Sequence, residues 1–204
     1  MIRKKYLKVE VTLLKDIGSV DDQREKAIDE LIMLDYPNKI SLEKMGIVYG
    51  KKNTDSILIA NQQIGYQSQR SEQDSAAEDN YIVKTLNKIT DRIAISQQGR
   101  YVINAEMLFD AKCNSHEDSI QRFQIKKYND LDFVKAAGIK YFIEDEFIVG
   151  TFFFEPFFKD NRYYFVAFNF QPKEEVENFR EAISFFRKYK SQFEKLSERM
   201  INEK

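Results

Sequence analysis

Apolar and polar residues alternate one for one from Tyr6 to Lys15. Leu7, Val9, Val11 and Leu13 fall on one face and Lys8, Glu10 and Thr12 on the other, which predicts a strand of a sheet covered on one side. The period then lengthens. Val20, Ala27, Ile28 and Leu31 form a helical stripe running to about Leu34. Ser19 with Asp22 reads as a capping box before it, and Tyr36-Pro37 stops it. Ile40 to Tyr49 fits a strand or a short helix. Ile57 to Tyr66 reads as a single strand, with glutamines on both faces of its second half. Gln67 to Asn80 is a polar trough that suits a mobile loop or the solvated start of the next helix, which Ile82, Val83, Leu86, Ile89 and Ile93 continue at helical spacing.

The second half opens in the same way. Tyr101, Ile103, Ala105, Met107 and Phe109 alternate along a strand from Arg100. Helical stretches are expected at about 117–124 and 130–137, the latter ended by Gly138. Strands at 139–143 and 147–154 are joined through Glu144-Asp145-Glu146. A further strand from Arg162 to Phe170 is reached through a turn at Lys159-Asp160-Asn161. Pro172 then opens a last helix to about residue 201. The pattern predicts an α+β fold, an antiparallel or mixed sheet with helices mainly on one face. It reads as one domain, 1–204, in which two similar βαββα-like halves, 1–98 and 99–204, share a sheet system.

Aromatic residues are unevenly placed. Thirteen of the 28 lie between Tyr141 and Phe170. From Tyr163 to Phe170, rings and aliphatics occupy both faces, so the strand is expected to be covered on both sides. Core is the leading reading of the block. Its alternative is an aromatic-lined pocket for a small apolar ligand, built from Phe152, Phe154, Glu155, Phe165 and Phe168. Gly150 permits a bulge or a close backbone approach. Phe157 and Phe158 sit at a hairpin tip, where burial is hardest, and are candidate partner contacts. In the last helix Phe179, Phe186, Phe193 and Met200 recur every seven residues. The end of that helix, with Phe193, Leu196 and Met200, fits two readings equally: an overhang that pairs with another chain, or packing along its own domain.

Composition removes several chemistries. Acids and bases nearly cancel, 33 against 32, which argues against nucleic acid as the partner. One cysteine, Cys113, rules out an internal disulfide and a cysteine-based zinc site. No glycine cluster forms a phosphate cradle. No apolar run is long enough for a membrane span, and the basic N-terminus lacks a signal peptide's apolar stretch, so a cytoplasmic setting is expected. The richness in Lys, Ile and Asn fits a bacterial or phage source.

The remaining candidates are sparse. Cys113-Asn-Ser-His-Glu-Asp118 contains a thiol, the single histidine and carboxylates. Ser115 with Asp118 also reads as a capping box, which is the simpler account. Glu144, Asp145, Glu146, Glu155 and Asp160 could serve a hydrolase or nuclease if they converged. No cofactor or metal is called for. The expected function is a cytoplasmic, non-enzymatic interaction or regulatory protein that binds a protein partner or itself.

Overall fold

The computed structural model describes residues 2–43, 45–51, 55–68, 76–125 and 134–203, with backbone only for 76–80. The chain is α+β. Among the described residues nine antiparallel strands form one sheet, and four helices lie on one of its faces. The strands are β1 (Lys4–Leu14), β2 (Asn38–Ser41), β3 (Gly46–Gly50), β4 (Asp55–Ala60), β5 (Gln63–Ser68), β6 (Arg100–Asp110), β7 (Ile139–Glu144), β8 (Ile148–Pro156) and β9 (Tyr163–Pro172). The helices are α1 (Asp22–Ile32), α2 (Ala76–Arg92), α3 (Ser115–Arg122) and α4 (Phe179–Asn202). The spatial order is β2-β3-β4-β5-β1-β6-β9-β8-β7.

The elements fall into two runs, β1 to α2 and β6 to α4. In each, a long strand is followed by a helix, then by a meander whose last strand returns beside the first, then by a second helix. β1 and β6, the two long strands, pair antiparallel at the centre and join the halves into one sheet.

One face of the sheet carries Val11, Leu13, Ile57, Ile59, Ile64, Tyr101, Ile103, Met107, Val166, Phe168 and Phe170, all buried beneath the helices. This layer is the hydrophobic core. α4 runs along it, with Phe179, Ile183, Phe186, Phe193 and Ile201 turned inward.

Several boundaries differ from the sequence expectation, each for a local reason. A bulge between Tyr6 and Lys8 displaces Leu7, so Tyr6 takes the place expected for Leu7 on the core face. Asp21, not Ser19, caps α1 by accepting from the Arg24 amide. The ambiguous stretch is β2 and β3. The single strand expected at 57–66 is the hairpin β4–β5, turned at Asn61-Gln62, and β5 continues into the expected polar trough. The trough's residues 69–75 lie outside the described residues, as does the first half, 130–133, of the helix expected at 130–137. Within the latter, 134–137 are not helical.

Pro172 ends β9 rather than opening a helix. Val176 pairs with Gly99 in an isolated bridge, and Asn178 caps α4. The close approach expected at Gly150 is present. A Cβ there would strike the Asn169 carbonyl oxygen and come within 2.7 Å of the Phe170 Cα.

Candidate functional site

The other face of the sheet is its most distinctive surface. Among the described residues no helix packs on it, and its side chains are mostly half-buried or exposed. The strand registers define what it presents. One cross-strand row reads Ser56, Gln67, Glu10, Asn104, Asn169, Thr151 and Phe142, from β4 through β5, β1, β6, β9 and β8 to β7. Six contiguous members of that row are polar. Three are hydrogen-bonded in series: Asn169 donates to Asn104, and Asn104 donates to Glu10 at 3.2 Å. Lys8 pairs with the Glu10 carboxylate at 2.8 Å.

Toward β7 the face becomes aromatic. Phe142, Phe153, Phe165 and Ala167 lie on it, and Phe157 stacks over Phe165 with ring centroids 6.4 Å apart. Phe142 is 82% exposed. The Lys140 ammonium lies 5.1 Å from the Phe142 ring centre and 4.8 Å from that of Phe153, near enough for cation–π attraction. Lys5, Lys8, Lys140 and Arg100 share this face with Glu10, Glu106, Glu144 and Glu155, so it bears both signs. Among the described residues β9 is therefore covered by helices on one side only. Its Tyr163, Phe165, Ala167 and Asn169 are half-buried on the open face, which corrects the expectation of a strand covered on both sides.

The five ligand-pocket candidates do not converge. Phe152, Phe154 and Phe168 are buried on the helix side, where Phe152 and Phe168 stack on Phe193 and Phe154 stacks on Tyr164. Glu155 and Phe165 pair across strands on the opposite face.

The partner-contact candidates also separate. Phe158 projects from the β8–β9 tip at 92% exposure, and Phe157 is half-buried beside it. Phe193 is buried in the core and Met200 packs against it, while Leu196 is 38% exposed. The end of α4 does not overhang. Arg122 of α3 donates to the Met200 and Glu203 carbonyls, and Lys112 reaches Asn202 at 3.1 Å. Phe193, a candidate for facing another chain, thus faces this sheet.

The chemical candidates are engaged separately. His116 Nε2 lies 3.2 Å from the Phe157 carbonyl oxygen, and Cys113 Sγ lies 3.2 Å from that of Ala111. Asn114 is the cap of α3, accepting from the amides of His116 and Glu117, so the cap lies one residue before the Ser115 expected. Asp118 pairs with Arg122 at 2.9 Å and accepts from the Tyr164 hydroxyl. Burial, then Asp118, push that phenol's pKa up.

Glu144 pairs with Lys173 at 2.8 Å, and Asp160 with Arg162 at 2.6 Å, which holds the Asp160 carboxyl at about 2. Asp145 accepts from the amides of Phe147 and Ile148 and from the Tyr189 hydroxyl at 2.7 Å. These carboxylates anchor turns and helices, and no group of three or more metal-ligating side chains gathers among the described residues.

A cleft of about 350 Å³ opens between α2 and the start of α4, away from the aromatic block. Asn87, Asp91, Gln97, Glu177 and Arg180 are among its lining residues. Gln97 is held there by Asn87 and Thr90, at 3.0 and 2.9 Å.

No helix of the described residues is long and apolar enough to cross a membrane. The fold and this surface define an α+β protein with a helix-backed sheet and one open face. No protein-family model matches the chain, and neither does any curated protein.

The open face was partly readable beforehand. The alternation in β1 and β6 marks one polar face on each strand. The row from Ser56 to Thr151 was not readable, because it depends on registers between strands far apart in sequence.

Proposed function

We propose that this is a non-enzymatic interaction protein of the cytoplasm that docks a protein partner on its open sheet face. The observation that carries the reading is the half-exposed aromatic cluster of Phe142, Phe153, Phe165 and Phe157 on a face that no helix of the described residues covers. Rings of this kind, rigid and only partly desolvated in the isolated chain, are the usual centre of a protein interface. The surrounding charges narrow the partner. Lysines alternate with glutamates, so the face suits a protein surface with an apolar centre and a rim of both signs, and is a poor match for a polyanion. Phe158, at the adjoining tip, extends the same contact.

A photo-reactive phenylalanine placed at Phe165 or Phe158 tests the reading in cells of the native host. Adducts with a discrete second protein are expected from both sites and not from Leu34, which is exposed beyond the end of α1. Labelling that is the same at all three positions would end the reading.

A further inference from the structure

The sheet ends in two edges that differ. β2 is four residues long, and its Lys39 is folded onto α1, where it pairs with Glu25 at 2.5 Å and Asp29 at 2.6 Å. A short edge tied to a helix offers an incoming strand little to pair with. β7 is six residues long, lacks proline, and has no strand on its outer side among the described residues. Four of its six side chains are exposed, the Phe142 ring most of all among its apolar ones.

The hairpin fixes which backbone groups of β7 face outward. The Asp145 amide donates to the Ile148 carbonyl across the turn, so these two residues form a hydrogen-bonded pair. Bonded and non-bonded pairs alternate along an antiparallel ladder. Ile143 and Tyr141 therefore bond to β8. Glu144, Phe142 and Lys140, opposite Val149, Thr151 and Phe153, turn their N–H and C=O groups toward the open edge.

We propose that this edge pairs with the same edge of a second copy, antiparallel about a twofold axis through Phe142, joining the two sheets into one. In that register Phe142 meets its own copy, and Lys140 of each chain meets Glu144 of the other. The three residues with outward backbone groups are the three that fall into hydrogen-bonded pairs. Opposite charges meet on both sides of the axis. The two Phe142 rings cover each other on the open face, and Tyr141 covers Ile143 of the second copy on the helix face. A slip of one residue would set outward-pointing residues against inward-pointing ones and reverse the faces.

Both charged partners are available. Lys140 rests over the exposed Phe142 and the half-buried Phe153 rings, and Lys173 engages one oxygen of a Glu144 side chain that is 71% exposed. The proposal stands apart from the identity of any open-face partner, since it is read from the purified chain alone.

Sedimentation equilibrium over about 1–200 µM tests it, a range suited to a small interface. A reversible dimer is expected. Phe142→Pro removes an outward N–H without touching the ladder to β8, and should raise the dissociation constant at least about thirtyfold. Lys140→Glu and Glu144→Lys should each weaken the dimer about tenfold. The double variant, in which the charges change places, should return to within about threefold of the parent. Thermal unfolding confirms that each variant is folded, and the charge pair carries the test alone if the proline variant is not. A chain that stays monomeric throughout overturns the proposal and leaves the edge to a strand of another protein. A dimer indifferent to Phe142→Pro, or a charge swap that does not restore it, overturns it as well.

Discussion

The Phe193 ring of α4 stacks on Phe168 of β9, with centroids 4.5 Å apart and planes 24° from parallel. Phe152 and Phe170 touch the same Phe193 ring at 5.8 and 6.1 Å. One helix residue thus closes a cluster of three sheet rings. Phe193→Ala leaves a void that the surrounding rings cannot fill and should cost about 3–5 kcal/mol. Phe158→Ala, at the exposed tip, should change stability by no more than about 0.5 kcal/mol. Urea unfolding of the two variants compares them directly, and similar small losses would show that Phe193 is not the keystone.

Gly150 makes a second, independent demand on the same region. It stands opposite Phe170 in the β8–β9 ladder, where a methyl group would press on the Asn169 carbonyl and the Phe170 Cα. Backbone cannot give way as a side-chain end can. Gly150→Ala should therefore destabilise by about 1–3 kcal/mol, although alanine suits a strand better than glycine does elsewhere. A neutral or stabilising result in the same urea assay would contradict the close approach.

Particular residues show why the fold was legible and the surface less so. Tyr101, Ile103, Ala105, Met107 and Phe109 alternate along one side of β6 and each is buried there, with Leu108 the one buried residue on the other side. The period of two survives any tertiary context. Ile57 to Tyr66 failed as one strand because Asn61-Gln62, the turn, carries no glycine or proline to mark it. α4 was legible as a helix, but its end stayed open between an overhang and packing on its own domain. A heptad of rings states that one face is buried but not by what, and here the burying surface is the sheet beneath. The aromatic block split for the same reason. Alternation separates Phe168 from Phe165, but only the placement of the helices decides which of them is covered.

Arg122 is the residue that holds the end of α4 down. Its guanidinium spans Asp118 of its own helix and two carbonyls at the C-terminus of α4, so groups left over at a helix end are satisfied from a neighbouring helix. With Arg122→Ala the last turn of α4 should fray while the rest of the helix holds. Amide hydrogen exchange reads this directly. Protection over residues 199–203 should fall at least about tenfold, with the amides near Phe186 unchanged. Uniform loss along α4 would mean that the arginine supports global stability rather than the helix end.

Acid should act on the β7–β8 turn through Asp145. Burial works against its charged form, but the Tyr189 hydroxyl, the amides of Ile148 and Phe147, and then Lys188 outweigh burial and hold the carboxyl below its ordinary value. A carboxyl whose pKa is depressed by folding contributes stability that is full above the unfolded value, near pH 4, and is lost as pH falls through the folded value. The turn and its tie to α4 should therefore weaken below about pH 4 and not between pH 5 and 8. Asp145→Asn keeps the oxygen that accepts from the two amides, replaces the oxygen that accepts from the Tyr189 hydroxyl with an NH2 that can only donate, and cannot ionise. It should lower stability at neutral pH and flatten the acid limb of the stability curve, bringing variant and parent together near pH 2. Chemical denaturation at a series of pH values gives both curves. An acid limb as steep in the variant as in the parent would assign the loss to other carboxylates, Asp160 with its pKa of about 2 among them.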